Sequence, residues 1–184
     1  MNRAQREALE RGFASSSAAA RELFARFPPE RLRERPPGGG WSAAECVAHL
    51  SLTSAATVPL VESAVADLEA RQMRNAGTSG LDWLGRMLRW SLEPGRFRSK
   101  TPAAFTPQRT EPFTGLLPEF LRWQDRIAAV LARAEGLALG AVKITSPFND
   151  HIRYNPLSAL AILETHERRH LAQAERAVTG AREE

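Results

Sequence analysis

Residues 155–173 read NPLSALAILETHERRHLAQ, and this stretch decides the fold. Asn155 suits the cap of a helix, and Pro156 suits its first turn, where a missing N–H leaves nothing unsatisfied. Ala159, Ile162, Leu163, His166, His170, Gln173 and Ala177 then recur at three- and four-residue spacing, which places them on one face. Gly180 can end the helix. A helix with one inward stripe needs neighbours to cover it.

The rest of the chain supplies three more long helices. One is expected from about Arg3 to Phe27, with Leu9, Phe13, Ala20, Leu23 and Phe27 at helical spacing. Pro28 and Pro29 stop it, and residues 28–40, PPERLRERPPGGG, form a breaker-rich link. The second helix starts after Ser42, which makes an S-x-x-E capping box with Glu45, and continues towards Arg71 with a kink expected at Pro59. A third covers about Leu116 to Ala134, burying Phe120, Trp123, Ile127, Val130 and Leu131. Between them, residues 72–113 are irregular, with a short helix at Leu81–Leu88 and prolines at 94, 102, 107 and 112. Residues 136–155 form another connection, in which Val142, Ile144 and Phe148 can cover one end of the core. Strand patterns are almost absent. These elements predict an all-α chain, one domain over 1–184, folded as a four-helix bundle. The long irregular crossover between helices two and three lets those two run parallel.

Composition narrows the function. The chain has 184 residues, 43% hydrophobic and 25% charged, so one domain can build a full core. Its 25 basic residues exceed 21 acidic ones, but the signs are interleaved, which argues against a nucleic-acid face. Cys46 is the single cysteine, so neither an intrachain disulfide nor a CxxC zinc site can form. The opening MNRAQREALERGF lacks the apolar centre of a signal peptide, and no uninterrupted apolar run approaches the roughly 20 residues of a membrane span. The expectation is a soluble, cytoplasmic protein that uses no membrane.

Three of the four histidines fall on inward stripes. His166 and His170 are one turn apart on the fourth helix; His49 shares the second helix's stripe with Leu52, Ala56 and Leu60. Neighbouring buried imidazoles are costly without partners, and a divalent metal on three of them would leave coordination positions open for chemistry. The other reading is three satisfied core histidines, and spacing alone leaves both standing. His166-Glu167-Arg168-Arg169-His170 also matches HExxH, the metalloprotease signature in which Glu167 would be the general base. Against it, the continuation carries Gln173 and Arg176 where Gly and His belong, and the chain offers almost no sheet edge for a peptide.

The segments WSAAECVAHL (Trp41–Leu50) and NPLSALAILETHERRHLAQ (Asn155–Gln173), with KTPAAF (Lys100–Phe105) before the third helix, resemble the DinB-like superfamily, including its YfiT-type metal-dependent hydrolases. The resemblance covers about residues 8–180. It implies an up-down-down-up four-helix bundle with a divalent metal, zinc or nickel, on His49, His166 and His170. It further implies thiol-transfer or hydrolytic chemistry on a small-molecule substrate, with a low-molecular-weight thiol such as bacillithiol or mycothiol as possible cosubstrate. A metal favours thiolate over thiol, which suits that chemistry. The rival from another class is a non-catalytic metal- or small-molecule-binding bundle, acting in stress or sensing.

Other residues carry narrower expectations. Glu45 is the capping partner of Ser42 and is also placed to bond His49. Gln173 shares the histidine face and can bond a ligand or a backbone group. His151 lies in the loop before the fourth helix and can approach the open end of the site. Cys46 reads as a small buried residue, Trp41 as a hydrophobic staple, and Glu167 as solvent-facing or paired with an arginine. Arg153 and Tyr154, with Arg96 and Arg98, are candidates for a pocket rim. The stiff connections 94–113 and 145–155 are expected to wall that pocket. Val47, Val58, Val61 and Val65 make a second apolar stripe on helix two, which points to a homodimer.

Overall fold

The computed structural model describes residues 1–75, 79–93, 101–108 and 113–180. Four long helices dominate: α1 (Arg3–Arg26), α3 (Ala43–Ala70), α5 (Phe113–Ala134) and α6 (Pro156–Thr179). Shorter α2 (Pro29–Arg33) and α4 (Trp83–Leu92) lie between them. The expected helix ends are close to the observed ones because their caps form. Ser42 Oγ accepts from Glu45 N at 3.2 Å while Glu45 Oε2 accepts from Ser42 N at 2.9 Å. Asn155 Oδ1 accepts from Ser158 N at 2.7 Å, and Gly180 closes α6 at φ 74°, a left-handed conformation that glycine adopts without strain. Pro59 lies inside α3 without ending it.

Helix α3 packs on α5 and α6, and α1 packs on the same two, so a continuous apolar core forms between them. Val58, Val61 and Val65 join Ile127, Val130 and Leu131 in that core, and Val47 packs in a cluster with Phe120 and Leu171. The second valine stripe is therefore covered by this chain's own α5 and α6, and the argument from it to a second subunit falls away. By length and hydropathy α3 would pass for a membrane span, contrary to the sequence expectation; 72% of its apolar window is buried in the protein, which makes it a core helix.

Two connections differ from the sequence reading. The 28–40 link contains the five-residue α2, whose Leu32 is buried against Leu23 and Ala43. Residues 136–155 contain a small antiparallel hairpin, β1 (Ile144–Ser146) with β2 (Asn149–Tyr154), irregular between Thr145 and Ser146. Strand alternation turns Ile152 and Tyr154 inward and leaves His151 and Arg153 exposed.

Helix α4 packs on α6. Asp82 caps it, accepting from Gly85 N at 2.7 Å, and also accepts from Asn155 N and Lys143 Nζ, each at 2.7 Å. One carboxylate thus joins α4, the hairpin approach and the start of α6. Gly85 is buried at this crossing, where a Cβ would lie 2.2 Å from Ser158 Oγ.

Candidate metal centre

Helices α3 and α6 bring His49, His166 and His170 together, with one nitrogen of each within 4.8 Å of the others. The three rings meet edge-on, with centroids 4.5–5.0 Å apart. His49 Nδ1 bonds the carbonyl oxygen of Phe105 at 2.7 Å. A carbonyl only accepts, so Nδ1 carries the proton and Nε2 keeps its lone pair. His170 Nδ1 bonds Gln173 Oε1 at 3.0 Å, which by the same logic frees His170 Nε2. The Nε2 atoms of His49 and His166 lie 3.2 Å apart. Two nitrogens held at about 2.0–2.1 Å from one tetrahedral zinc lie roughly 3.3 Å apart, so this spacing fits a shared ion.

Burial pushes all three imidazoles towards the neutral form that a metal needs. For His170, desolvation and then the neighbouring His49 press the value down to about 3, against the opposing bond to Gln173. His166 is driven well below its ordinary value by desolvation and by the other two rings. Desolvation lowers His49 as well, opposed by the Phe105 carbonyl. Three rings kept neutral by burial, with a nitrogen of each within 4.8 Å of the others, can make half of a coordination sphere and leave the other half open.

That half faces a cavity of about 740 Å³. Thr101, Pro102 and Phe105 line it from one irregular connection and Phe148, Ile152 and Tyr154 from the hairpin, as the stiffness of those segments suggested. Arg96 and Arg98, the other expected rim residues, lie outside the described residues. Leu88 and Leu92 of α4 add a wall. Trp41 does more than staple a helix: its ring lies 4.7 Å from His49 and 5.7 Å from His170, flanking the site.

The remaining candidates separate. Gln173 touches the site through His170. Glu45 does not reach His49, whose Nδ1 is taken by Phe105; it is held by Ser42 and by Arg35 Nε at 2.8 Å. Burial opposes its charge, but those hydrogen bonds outweigh it and keep the carboxyl below its ordinary range. His151 is exposed on the outer side of β2, 3.5 Å from Asp150, and does not line the cavity. Cys46 is fully buried, and burial pushes its thiol up, which leaves it unreactive.

Glu167 corrects the sequence reading. It is completely buried instead of solvent-facing, and it accepts from Gln124 Nε2 at 2.8 Å. Glu167 is not among the residues that line the cavity, and its carboxyl turns to Gln124 of α5. A general base must reach the metal-bound water, and a carboxyl bonded to Gln124 outside the cavity lining is not placed for that. The HExxH string is therefore a coincidence of spacing here. The orienting carbonyl of Phe105 was the functional partner that sequence reasoning missed; a backbone oxygen 56 residues from His49 leaves no side-chain signature.

The family model of the DinB superfamily matches residues 13–174. No curated protein and no solved structure matches the chain. With most of its length inside that match, the chain belongs to the DinB superfamily.

Proposed function

We propose that this DinB-superfamily chain is a divalent-metal-dependent enzyme acting on a small molecule by thiol transfer or hydrolysis. Zinc or nickel would be held by His49, His166 and His170. The observation that carries the reading is three convergent imidazoles, kept neutral by burial, beside a cavity of about 740 Å³, within the range of small-molecule sites. When bound, the metal lowers the pKa of a thiol or water and so supplies a nucleophile at neutral pH.

The chain's own residues prepare that chemistry. Phe105 and Gln173 fix the tautomers of His49 and His170, so neither of those rings must turn before it binds. Trp41, Phe105 and Phe148 narrow access of water. Arg169 and Arg176 line the same cavity and bias it towards anions, including a carboxylate-bearing thiol cosubstrate. The four long helices are taken as the up-down-down-up bundle of the family, a reading supported by the packing of α3 and of α1 on both α5 and α6. A reducing cytoplasm suits a protein with one buried thiol and no disulfide.

The competing reading is a binding bundle without catalysis, and one experiment covers both. Metal-free protein is titrated with zinc and with nickel and its metal content read by mass spectrometry. The loaded protein is then screened with low-molecular-weight thiols and electrophiles for thiol consumption. One ion per chain and metal-dependent turnover is the expected outcome, with both lost in His170→Ala at unchanged helix content. Metal uptake without turnover on any thiol, ester or amide would favour the binding bundle; no uptake would remove the site altogether.

A further inference from the structure

The exposed apolar face of this molecule lies on α4, not on α3. Trp83, Met87 and Trp90 are 69%, 42% and 48% exposed, more than any other large hydrophobic side chain among the described residues. At 100° per residue the three fall within about 60° of one another. Gly85, Leu88 and Leu92 take the opposite side of the helix. Gly85 lies against Ser158 of α6, and both leucines line the cavity. Helix α4 is therefore apolar on two faces, and the bundle covers the inner one.

The outer stripe reads nearly the same from either end. Trp83 and Trp90 stand seven residues apart, roughly 10 Å along the axis, with Met87 between them. A second α4 laid antiparallel across it, about a two-fold axis between Arg86 and Met87, sets Trp83 against the partner subunit's Trp90 and each Met87 beside its copy. Aromatic pairs flanking a thioether are favourable contacts. The area also suits a second copy. A stable homodimer buries about 800 Å² on each partner, somewhat over half of it apolar. At these exposures two tryptophans and a methionine offer roughly 350 Å², which is most of that apolar share. Charge does not select a membrane instead. Of the two arginines on α4, Arg89 turns inward to Thr165 Oγ1 at 3.2 Å, and only Arg86 borders the stripe. Anionic lipid draws clusters of roughly four or more basic residues.

We propose that the outer face of α4 is an interface with a second copy of this chain, a two-fold contact through Trp83, Met87 and Trp90 of each. The contact stands independently of the metal reading. It bears on the site all the same. Pairing presses α4 from both sides, so the wall that Leu88 and Leu92 give the cavity is held by two chains instead of one.

Sedimentation of the full chain from roughly 1 to 100 μM tests the pairing. Mass should rise from 20.3 kDa towards twice that value. The dissociation constant should be on the order of 10 μM, given the small apolar area. Met87→Glu sets two carboxylates at the axis and should weaken the dimer roughly 100-fold or more, with helix content unchanged. Oxidative cross-linking tests the geometry, and Cys46 does not interfere because it is fully buried. Met87→Cys should cross-link to its own copy. Trp83→Cys, roughly 10 Å from its copy along the axes, should not; it should join Trp90→Cys when those two variants are mixed. A chain that stays monomeric throughout overturns the proposal, and if that monomer sediments with phosphatidylserine vesicles the stripe belongs to a lipid surface. A dimer that survives Met87→Glu, or that cross-links through Trp83→Cys alone, overturns it as well.

Discussion

Helix α6 buries polar groups on two faces, and they answer the same desolvation in different ways. His166 and His170 face the cavity, and Glu167, between them in sequence, faces the core between α6 and α5. The histidines stay neutral by losing protons, and His49 and His170, protonated on Nδ1, keep the lone pair on Nε2. Glu167 is neutralised by gaining one: desolvation, opposed by Gln124 and Ser16, raises it to about 8. Its Oε2 and the Oε1 of Gln124 both lack partners among the described residues. A proton on Oε2 turns one of those two acceptors into a donor. One face therefore retains unspent acceptors beside open space, and the other closes on itself. Only the first can bind anything, which is why burial of polar groups does not by itself mark a site.

The sharpest test of this contrast is the pH dependence of stability. Glu167 is protonated in the folded chain and ionised in the unfolded one between about 4.5 and 8. Its contribution is full below 4.5 and is lost as pH rises through 8. The histidines act with the opposite sign. The unfolded chain binds protons below 6.5 that the folded one refuses, for His170 until about 3, so stability falls as pH drops through that window. Glu167→Gln should remove the alkaline loss, on the order of a few kcal/mol, and leave the acid side unchanged. Denaturant midpoints at pH 5, 7 and 9 decide it; an alkaline slope that persists in the variant places the titrating group elsewhere.

A smaller effect separates holding a metal from orienting its ligand. Gln173→Leu removes the acceptor for His170 Nδ1 while leaving all three rings, and zinc affinity should fall roughly 10–100-fold. Competition with a chelator measures this, and an unchanged affinity would mean that the packing of Trp41 alone orients His170. The smallest expected change belongs to the fourth histidine. His151→Asn, on an exposed strand face, should alter zinc affinity not at all and stability by no more than about 0.5 kcal/mol. A measurable loss of metal would place the hairpin within the site.

Helix limits and the histidine stripe were legible because both are local. Ser42 with Glu45, and Asn155 with Pro156, satisfy backbone groups within one turn, and i, i+4 spacing fixes a shared face whatever surrounds it. Glu167 was misread although a signal existed. Leu157, Leu160, Leu171, Ala174 and Val178 mark a second stripe at helical spacing, and Glu167, seven residues after Leu160 and four before Leu171, falls on it. A charged letter inside an apolar stripe is easily taken for an edge. The hairpin was missed for a related reason: Ile152 and Tyr154 alternate with His151 and Arg153, but over too few residues to outweigh a loop. The Phe105 carbonyl, and the cover that α5 gives the valines of α3, are properties of tertiary packing and could not be read at all.

Gly85 sets a dimension of the cavity without touching it. Leu88 and Leu92, one and two turns further along α4, line the cavity, and their standoff from α6 is fixed where Gly85 lies against Ser158. The gauge is a backbone-to-side-chain contact with no room for a methyl group. A lineage that changed residue 85 would therefore alter the calibre of the cavity in one step, with every histidine left in place. Substrate range and metal chemistry can in this way drift independently, one through a spacer at a helix crossing and the other through the rings two turns away.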